Sequence, residues 1–127
     1  MIQQRNTVQK QQVYAALCAL ADHPTAEAVY DKVCEMRDGI SRATVYRILN
    51  NMAAAGKILR VAVPDGADHF DHQTHPHYHL KCSVCGGVYD LEMPVLTELV
   101  EKAADREKDV QIDDHIVLFY GKCKHCK

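Results

Sequence analysis

Two Cys-x-x-Cys pairs organise the second half of this chain: Cys82-Ser83-Val84-Cys85 and Cys123-Lys124-His125-Cys126. Each pair can turn its two sulfurs to the same side within one tight turn. Two such pairs supply the four thiolates of a tetrahedral structural zinc site. A redox-active dithiol would need only one pair, so two matched pairs favour zinc. The sequence therefore predicts a four-cysteine zinc site made by Cys82, Cys85, Cys123 and Cys126.

Length and composition limit the class of protein. A chain of 127 residues, 47% hydrophobic and 25% charged, is long enough for one ordinary globular domain or two small ones. Six cysteines without a recognisable export signal fit reduced thiols better than disulfides. Cys18 and Cys34 lie on apolar helical faces and are expected to be buried. No apolar run is long enough to cross a membrane, so we expect a cytoplasmic protein.

Charge is divided unevenly between the two halves of the chain. Residues 1–60 carry eight Lys or Arg and five Asp or Glu, which gives +3. Residues 61–127 carry seven and twelve, which gives −5, and the two values sum to the net charge of −2. A locally basic first half is compatible with an anionic partner such as nucleic acid.

Three helices are predicted in the first half. Apolar spacing favours helices over 7–21, from a Thr25 cap to about 36, and over 42–55. Ser41 has a side chain that suits the N-cap of the third helix. Gly56 suits the position just after its C-terminal end, where a left-handed backbone is common.

A two-stranded hairpin is predicted after the third helix, with strands over 59–63 and 67–72. Three helices followed by a hairpin indicate a winged helix-turn-helix, here a DNA-binding domain over 1–72. The alternative is a small helical domain with an exposed Arg/Tyr face. The expected DNA contacts are Arg42, Thr44, Tyr46 and Arg47 at the start of the third helix, with Lys10 and Lys57 at phosphates.

The second half is predicted to be a small α/β unit. Its expected elements are strands over 77–82, 88–91 and 112–120, and a helix over 94–106. Residues 73–76 are polar and turn-prone, which indicates a hinge before a second domain over 77–127. The whole chain is then of the α+β class. The exposed sheet edge of such a unit invites a second copy, so we expect a homodimer.

A second ligand-rich stretch, His75-Pro76-His77-Tyr78-His79, lies just before the first cysteine pair. Imidazole and carboxylate donors together suit Fe²⁺, Mn²⁺ or Zn²⁺. The alternative is a run of solvated histidines at a loop. An ion shared with the first domain would make DNA binding depend on metal. The candidate regulatory ligands are His23, Asp71, His77, His79 and Asp90.

Several short motifs occur in order along nearly the whole chain. They are Arg5-x-Thr7-x-Gln9-Lys10, His23-Pro24-Thr25-Ala26, Ser41-x-Ala43-Thr44-Val45-Tyr46-Arg47, Phe70-Asp71, His77-x-His79, Cys82-x-x-Cys85-Gly86 and Cys123-x-x-Cys126. In these motifs the chain resembles the ferric uptake regulator (Fur) family of bacterial metal-dependent repressors. The resemblance implies a winged-helix domain, a dimerisation domain, a structural zinc held by four cysteines and a regulatory divalent metal at the five candidate ligands.

The resemblance also distinguishes two branches of the family. Asp71 and Asp90, where iron-sensing members tend to carry glutamates, are similar to the peroxide-sensing (PerR-like) branch. In that branch, iron-dependent oxidation of a ligand histidine releases the DNA. Arg47 is more similar to the iron-uptake branch. Members of the family have a further metal site that uses a His and an Asp. The corresponding positions here are Pro76 and Tyr78, so we expect that site to be absent. His115 nevertheless lies at a position that is suitable for a ligand.

The function expected from these observations is a metal-activated, homodimeric repressor that binds a roughly palindromic DNA operator. Peroxide or iron response is expected, with iron-uptake or other divalent-metal sensing as the alternative. A small metallohydrolase would need an open metal position and a positioned base. No His-Glu-x-x-His motif is present in the sequence, so we do not expect an enzyme. A zinc-stabilised interaction module without DNA binding is the third possibility.

Overall fold

The computed structural model describes residues 2–20, 23–36, 39–64 and 66–127, with side chains from Thr7 onward. The chain divides into two compact units, Met1–His75 and Pro76–Lys127. Within the described ranges, every helix is too short or too polar to span a lipid bilayer.

The first unit begins with three helices: α1 (Ile2–Leu20), α2 (Ala26–Met36) and α3 (Arg42–Ala54). The predicted start of the first helix at Thr7 is wrong, because α1 begins at Ile2. The residues before Thr7 include no glycine or proline and are mostly good helix formers, so nothing local stops the helix there. The predicted end at Ala21 lies outside the described residues.

Helix caps occur where they were predicted. The Thr25 hydroxyl accepts a hydrogen bond from the Ala28 amide at 3.2 Å. The Ser41 hydroxyl accepts from the Thr44 amide at 3.1 Å, so the start of α3 is determined by its own sequence. Gly56 follows α3 with φ of 76°, a left-handed conformation that glycine adopts without strain.

One apolar core joins the three helices and the hairpin that follows them. Two cysteines of these helices lie outside the core. Cys34 is exposed and Cys18 is half-buried, so the expectation that both are buried is wrong. Both lie beside the apolar stripe of their helix rather than within it. The core contains Val13, Ala16, Leu17, Val29, Val33, Ile40, Val45, Ile48, Leu49, Ile58 and Phe70.

The hairpin consists of β1 (Leu59–Val61) and β2 (His69–Asp71), paired antiparallel with Leu59 opposite Asp71. Both strands are shorter than predicted. A third segment also joins this sheet, because Thr25 forms a β-bridge with His69. The Phe70 amide also donates to the Pro24 carbonyl oxygen at 2.8 Å. Pro24 and Thr25, just before α2, are thereby held against β2.

The second unit contains a three-stranded sheet of β3 (His79–Cys82), β4 (Val88–Asp90) and β5 (Leu118–Gly121) in the order β4-β3-β5. Strands β3 and β4 are antiparallel, whereas β3 and β5 are parallel. The predicted strand over 112–120 is wrong before Leu118. Because β3 has only four residues before the first cysteine turn, only the segment opposite them finds pairing partners.

One helix, α4 (Glu98–Arg106), completes the second unit. The predicted start at Pro94 is wrong. The Leu99 amide donates to the Leu96 carbonyl oxygen at 3.1 Å, so a turn precedes the helix. Helix α4 has a pronounced apolar face, but none of its residues is buried. The fold class predicted from the sequence, α+β with a helical first part and a small α/β second part, is confirmed.

Candidate metal centres and nucleic-acid interface

The four cysteines of the two Cys-x-x-Cys pairs converge at one end of the sheet in the second unit. Strands β3 and β5 run parallel, so the cysteine pairs at their C-terminal ends lie at the same end of the sheet. All four sulfurs lie within 4.8 Å of one another, with the Cys85 and Cys123 sulfurs 3.9 Å apart. Zinc–sulfur bonds of about 2.3 Å in a tetrahedron separate the sulfurs by about 3.8 Å. The site therefore has the size that Zn²⁺ requires.

Backbone amides prepare this site for a cation. Cys82 Sγ accepts hydrogen bonds from the amides of Cys123 and Cys85, each at 3.4 Å. These bonds lower the pKa of Cys82 to about 5. A hydrogen bond with Cys123 and burial raise the pKa of Cys126 to about 12. The cluster therefore ionises in part by itself, and a divalent cation would favour removal of the remaining protons.

Tyr89 is a neighbour of this site that the sequence did not indicate. Its hydroxyl lies 3.3 Å from Cys85 Sγ, and this contact raises the pKa of Tyr89. Gly87 makes the contact possible, because a Cβ atom there would lie 2.7 Å from the Tyr89 hydroxyl oxygen. A hydroxyl that donates to a thiolate reduces the reactivity of the sulfur.

In the first unit, His23 and Asp71 form a buried imidazole–carboxylate pair. His23 Nε2 lies 3.0 Å from Asp71 Oδ2, and the two side chains are only 7% and 3% exposed. The β-bridge to β2 places them together, and His69 Nδ1 contacts the His23 carbonyl oxygen at 2.6 Å. Among the described non-glycine residues, His23 alone has a positive φ, 56°. Such a conformation in a buried polar residue often marks a functional site.

The second unit contributes three further donors, His77, His79 and Asp90. His79 lies directly opposite Asp90 in the β3–β4 ladder. Asp90 Oδ1 is 2.9 Å from His77 Nε2 and 3.3 Å from His79 Nε2. Two donors about 2.1 Å from one ion and at right angles lie about 3.0 Å apart. The donor spacing within each unit therefore fits a divalent metal with nitrogen and oxygen ligands.

Tyr78 lies between two of these histidines in the sequence but has a different role. Its side chain is 2% exposed, and its hydroxyl lies 2.5 Å from His115 Nε2. The same hydroxyl accepts from the Leu96 amide at 2.9 Å. Tyr78 thus joins β3 to the turn before α4 and to the segment before β5, which is a structural use of this position.

The predicted DNA-reading residues lie on α3, but two of them are held by a residue that the sequence did not indicate. Glu27 of α2 accepts two hydrogen bonds from the Arg42 guanidinium, at 2.9 and 2.8 Å. It accepts a third from the Tyr46 hydroxyl at 2.9 Å. The Thr44 hydroxyl interacts with the Ser41 hydroxyl at 2.9 Å. No local pattern could have indicated Glu27, because it pairs with residues of another helix.

The other predicted DNA contacts are more accessible. Arg47 is exposed, and within the described part of the chain we find no hydrogen-bond or ion-pair partner for it. Lys10 and Lys57 line one cleft of about 560 Å³ together with Tyr14 and Met52. The two lysines therefore form a common cationic surface at the junction of α1 and the end of α3.

Comparison with known proteins assigns the family. The sequence profile described as "Ferric uptake regulator family" matches residues 2–120. The chain belongs to the ferric uptake regulator family. It is 35% identical over 123 residues to the peroxide-responsive repressor PerR of Staphylococcus epidermidis, covering 97% of this chain and 81% of that one.

Solved structures agree with this assignment. The Campylobacter jejuni peroxide stress regulator superposes with a TM-score of 0.77 at 27% identity, covering 96% of this chain and 91% of that one. The Vibrio cholerae ferric uptake regulator gives 0.71 at 32% identity, covering 90% and 88%. This Fur-family protein is a metal-dependent transcriptional regulator rather than an enzyme. The two donor sets of this chain agree with the predicted cofactors, a structural zinc and a regulatory divalent metal.

Regulators of this family bind DNA as dimers. The prediction of a DNA partner and a homodimer is therefore confirmed as a property of the family.

Proposed function

We propose that this Fur-family regulator is a peroxide-responsive repressor that binds its operator only with a divalent metal present. The observation that carries the proposal is that both carboxylates near the histidines are aspartates, and each lies about 3 Å from an imidazole nitrogen. The peroxide-responsive name of the Staphylococcus epidermidis relative supports the same interpretation. The proposed ligands are His23, Asp71, His77, His79 and Asp90.

The chemistry of the donors favours Fe²⁺ or Mn²⁺, with Zn²⁺ as a third occupant. Bound Fe²⁺ would supply electrons to peroxide beside a ligand imidazole. His23 and His77 are the side chains that we expect to be oxidised. Both are less than a tenth exposed, so the reaction would be confined to groups that hold the metal.

Sharing one ion would couple the two units of the chain. His23 and Asp71 belong to the first unit, whereas the other three donors belong to the second. We propose a DNA-binding domain over 1–72, a hinge at 73–76 and a dimerisation domain over 77–127. Metal binding then selects the arrangement of these domains that fits the operator.

The proposed dimer surface lies in the second unit. Strand β5 is an edge strand, and Phe119 and Tyr120 on it are 42% and 57% exposed. Ile116 just before it is 95% exposed. Helix α4 has an apolar face with no buried residue. A second copy would cover this surface.

A two-fold dimer implies a roughly palindromic operator. Winged-helix half-sites lie about 34–36 Å apart or at multiples of that distance. In this proposal Arg42, Thr44, Tyr46 and Arg47 contact the major groove, while Lys10 and Lys57 contact phosphates. An operator in the bacterial chromosome requires a cytoplasmic protein.

Iron sensing without peroxide chemistry is the second candidate function, and exposed Arg47 on α3 is the observation that favours it. One experiment separates the two. The protein is purified without oxygen, its metals are measured, and peptides are analysed by mass spectrometry after peroxide treatment. Oxygen added to His23 or His77, and only with iron bound, is the expected result. Intact histidines with reversible metal loss would favour iron sensing instead.

A further inference from the structure

We propose that Glu27 determines how selectively this protein reads DNA, by holding the Arg42 guanidinium and the Tyr46 hydroxyl in one orientation. This role rests on the DNA binding proposed above. Glu27 lies in the first turn of α2, whereas both partners lie on α3. Glu27 is thus a positioning residue that acts through Arg42 and Tyr46 and need not touch DNA.

One carboxylate holds three donor atoms in this network. Glu27 Oε1 accepts from Arg42 Nη2 at 2.8 Å, and Oε2 accepts from Arg42 Nε at 2.9 Å. Two parallel bonds restrain the plane of a guanidinium better than one bond does. The Tyr46 hydroxyl donates to Oε2 at 2.9 Å. The Arg42 guanidinium also lies over the Tyr30 ring, 4.8 Å from its centroid, so it is restrained from its face as well.

Arg42 keeps donors for DNA in this arrangement. A guanidinium has five N–H groups, and the pairing with Glu27 uses only the Nε group and one group of Nη2. Both N–H groups of Nη1 and the second group of Nη2 remain for a guanine edge or a phosphate. The Arg42 side chain is 58% exposed, so these donors can be reached.

Glu27 also changes the charge of the reading surface. Hydrogen bonds from Arg42 and Tyr46 lower the pKa of Glu27, so its carboxylate is an anion at neutral pH. This charge offsets the attraction of Arg42 to phosphates, which does not depend on DNA sequence. The directional bonds that read base edges are retained. The pairing therefore favours selectivity over general affinity.

A simpler role for Glu27 is stabilisation of α2, because an acidic residue in the first turn interacts favourably with the helix dipole. That role requires neither Arg42 nor Tyr46. It predicts equal effects of a substitution on operator DNA and random DNA, which makes the two roles separable.

The test compares Glu27→Gln with Glu35→Gln in the metal-loaded, full-length protein. Glutamine keeps the shape of glutamate but removes its charge. Glu35 lies on the same helix and pairs with Lys32 at 3.3 Å. Its substitution by glutamine also removes one negative charge, so the two variants have the same net charge. A site selected from random duplexes by the unaltered protein serves as operator. Affinities for this site and for random DNA are measured at several salt concentrations.

Glu27→Gln is expected to bind random DNA more tightly and to lower the operator-to-random affinity ratio on the order of tenfold, the discrimination typical of one bidentate base contact. The salt dependence should steepen by about 0.9 for each phosphate that Arg42 newly contacts. Glu35→Gln should leave the ratio unchanged. In an Arg42→Gln background, Glu27→Gln should lower the ratio by less than it does alone, because only the contact with Tyr46 is then left to lose.

Equal ratios for Glu27→Gln and Glu35→Gln would overturn the positioning role. So would an undiminished effect of Glu27→Gln in the Arg42→Gln background. Thermal unfolding checks each variant. If Glu27→Gln does not fold, Tyr46→Phe replaces it in the test, because it removes one donor to Glu27. An unchanged operator-to-random affinity ratio for Tyr46→Phe would then overturn the proposal. If the metal-loaded, unaltered protein selects no DNA site, it is the proposed function that fails.

Discussion

The two ligand sets of this protein differ in how they are distributed along the fold. The four-cysteine centre takes all its donors from two short turns of the second unit, and their sulfurs already have the spacing of a zinc site. The imidazole and carboxylate donors are divided instead. His23 and Asp71 come from the first unit, while His77, His79 and Asp90 come from the second.

This difference agrees with the different roles proposed for the two sets. Four thiolates leave no open coordination position and bind Zn²⁺ tightly, which suits a structural site. Nitrogen and oxygen donors bind several divalent metals and exchange them more readily, which suits a sensor. In the proposed function, an ion shared by the divided set would be bound only in some arrangements of the two units.

The largest effect is expected from Cys82→Ser, which removes a thiolate that two backbone amides stabilise. The variant should lose its bound zinc, and the second unit should lose its cooperative unfolding transition, because zinc binding contributes directly to the folding of small zinc domains. Zinc content and circular dichroism measure both effects. Cys34→Ser, at an exposed position on α2, is the matched control and should retain zinc.

His77→Ala is expected to abolish activation by Fe²⁺ or Mn²⁺ while zinc stays bound. Loss of the coupling should weaken metal-dependent operator binding by about 5- to 150-fold. Gel-shift titrations with and without added metal measure this, alongside zinc analysis. His125→Ala, an exposed histidine inside the second cysteine pair, should behave like the unaltered protein. Tight, metal-independent binding by His77→Ala would contradict the sensor role.

Tyr89→Phe is expected to leave the fold intact but to remove the hydroxyl that contacts the Cys85 sulfur. Without the hydroxyl at 3.3 Å, zinc should be lost to a chelator or to peroxide roughly tenfold faster. A zinc-sensitive dye reports the rate. Tyr120→Phe, on the exposed part of β5, provides the control. Equal rates for the two variants would remove Tyr89 from the zinc site.

The smallest effect is expected from Asp90→Glu. Asp90 is 40% exposed, so an added methylene can be accommodated, but it displaces the oxygen that both His77 and His79 contact. Metal-dependent DNA binding should persist with metal affinity lowered by less than about tenfold. Sensitivity to peroxide should fall more than affinity does. Parallel measurement of metal affinity and of histidine oxidation separates the two, and an unchanged oxidation rate would deny Asp90 a part in the response.

The parts of the fold that were predictable depend on neighbouring residues in the sequence. The Ser41 cap and the Gly56 position after α3 are local features, and both occur as predicted. Helix α4 begins only after a turn at Leu96, and β5 depends on strand pairing, so the residue types of the sequence placed both starts too early. Strand β5 begins at Leu118 only because its partner β3 is four residues long.

The candidate site likewise combines features that are local in the sequence with contacts that depend on the fold. Both cysteine pairs and the His77-x-His79 motif are visible in the sequence. The contact of His23 with Asp71 depends on a β-bridge between Thr25 and His69, which no periodicity predicts. Glu27 could not be found either, because its partners lie on another helix and its pairing requires the packing of α2 on α3.

Graded chelation of a single sample tests whether one metal centre is structural and the other regulatory. Metal content and operator binding are measured together as a chelator is added to the loaded protein. We expect operator binding to disappear while about one zinc per chain remains, and to return when Mn²⁺ or Fe²⁺ is added back. Loss of DNA binding only when the zinc leaves would contradict these two roles.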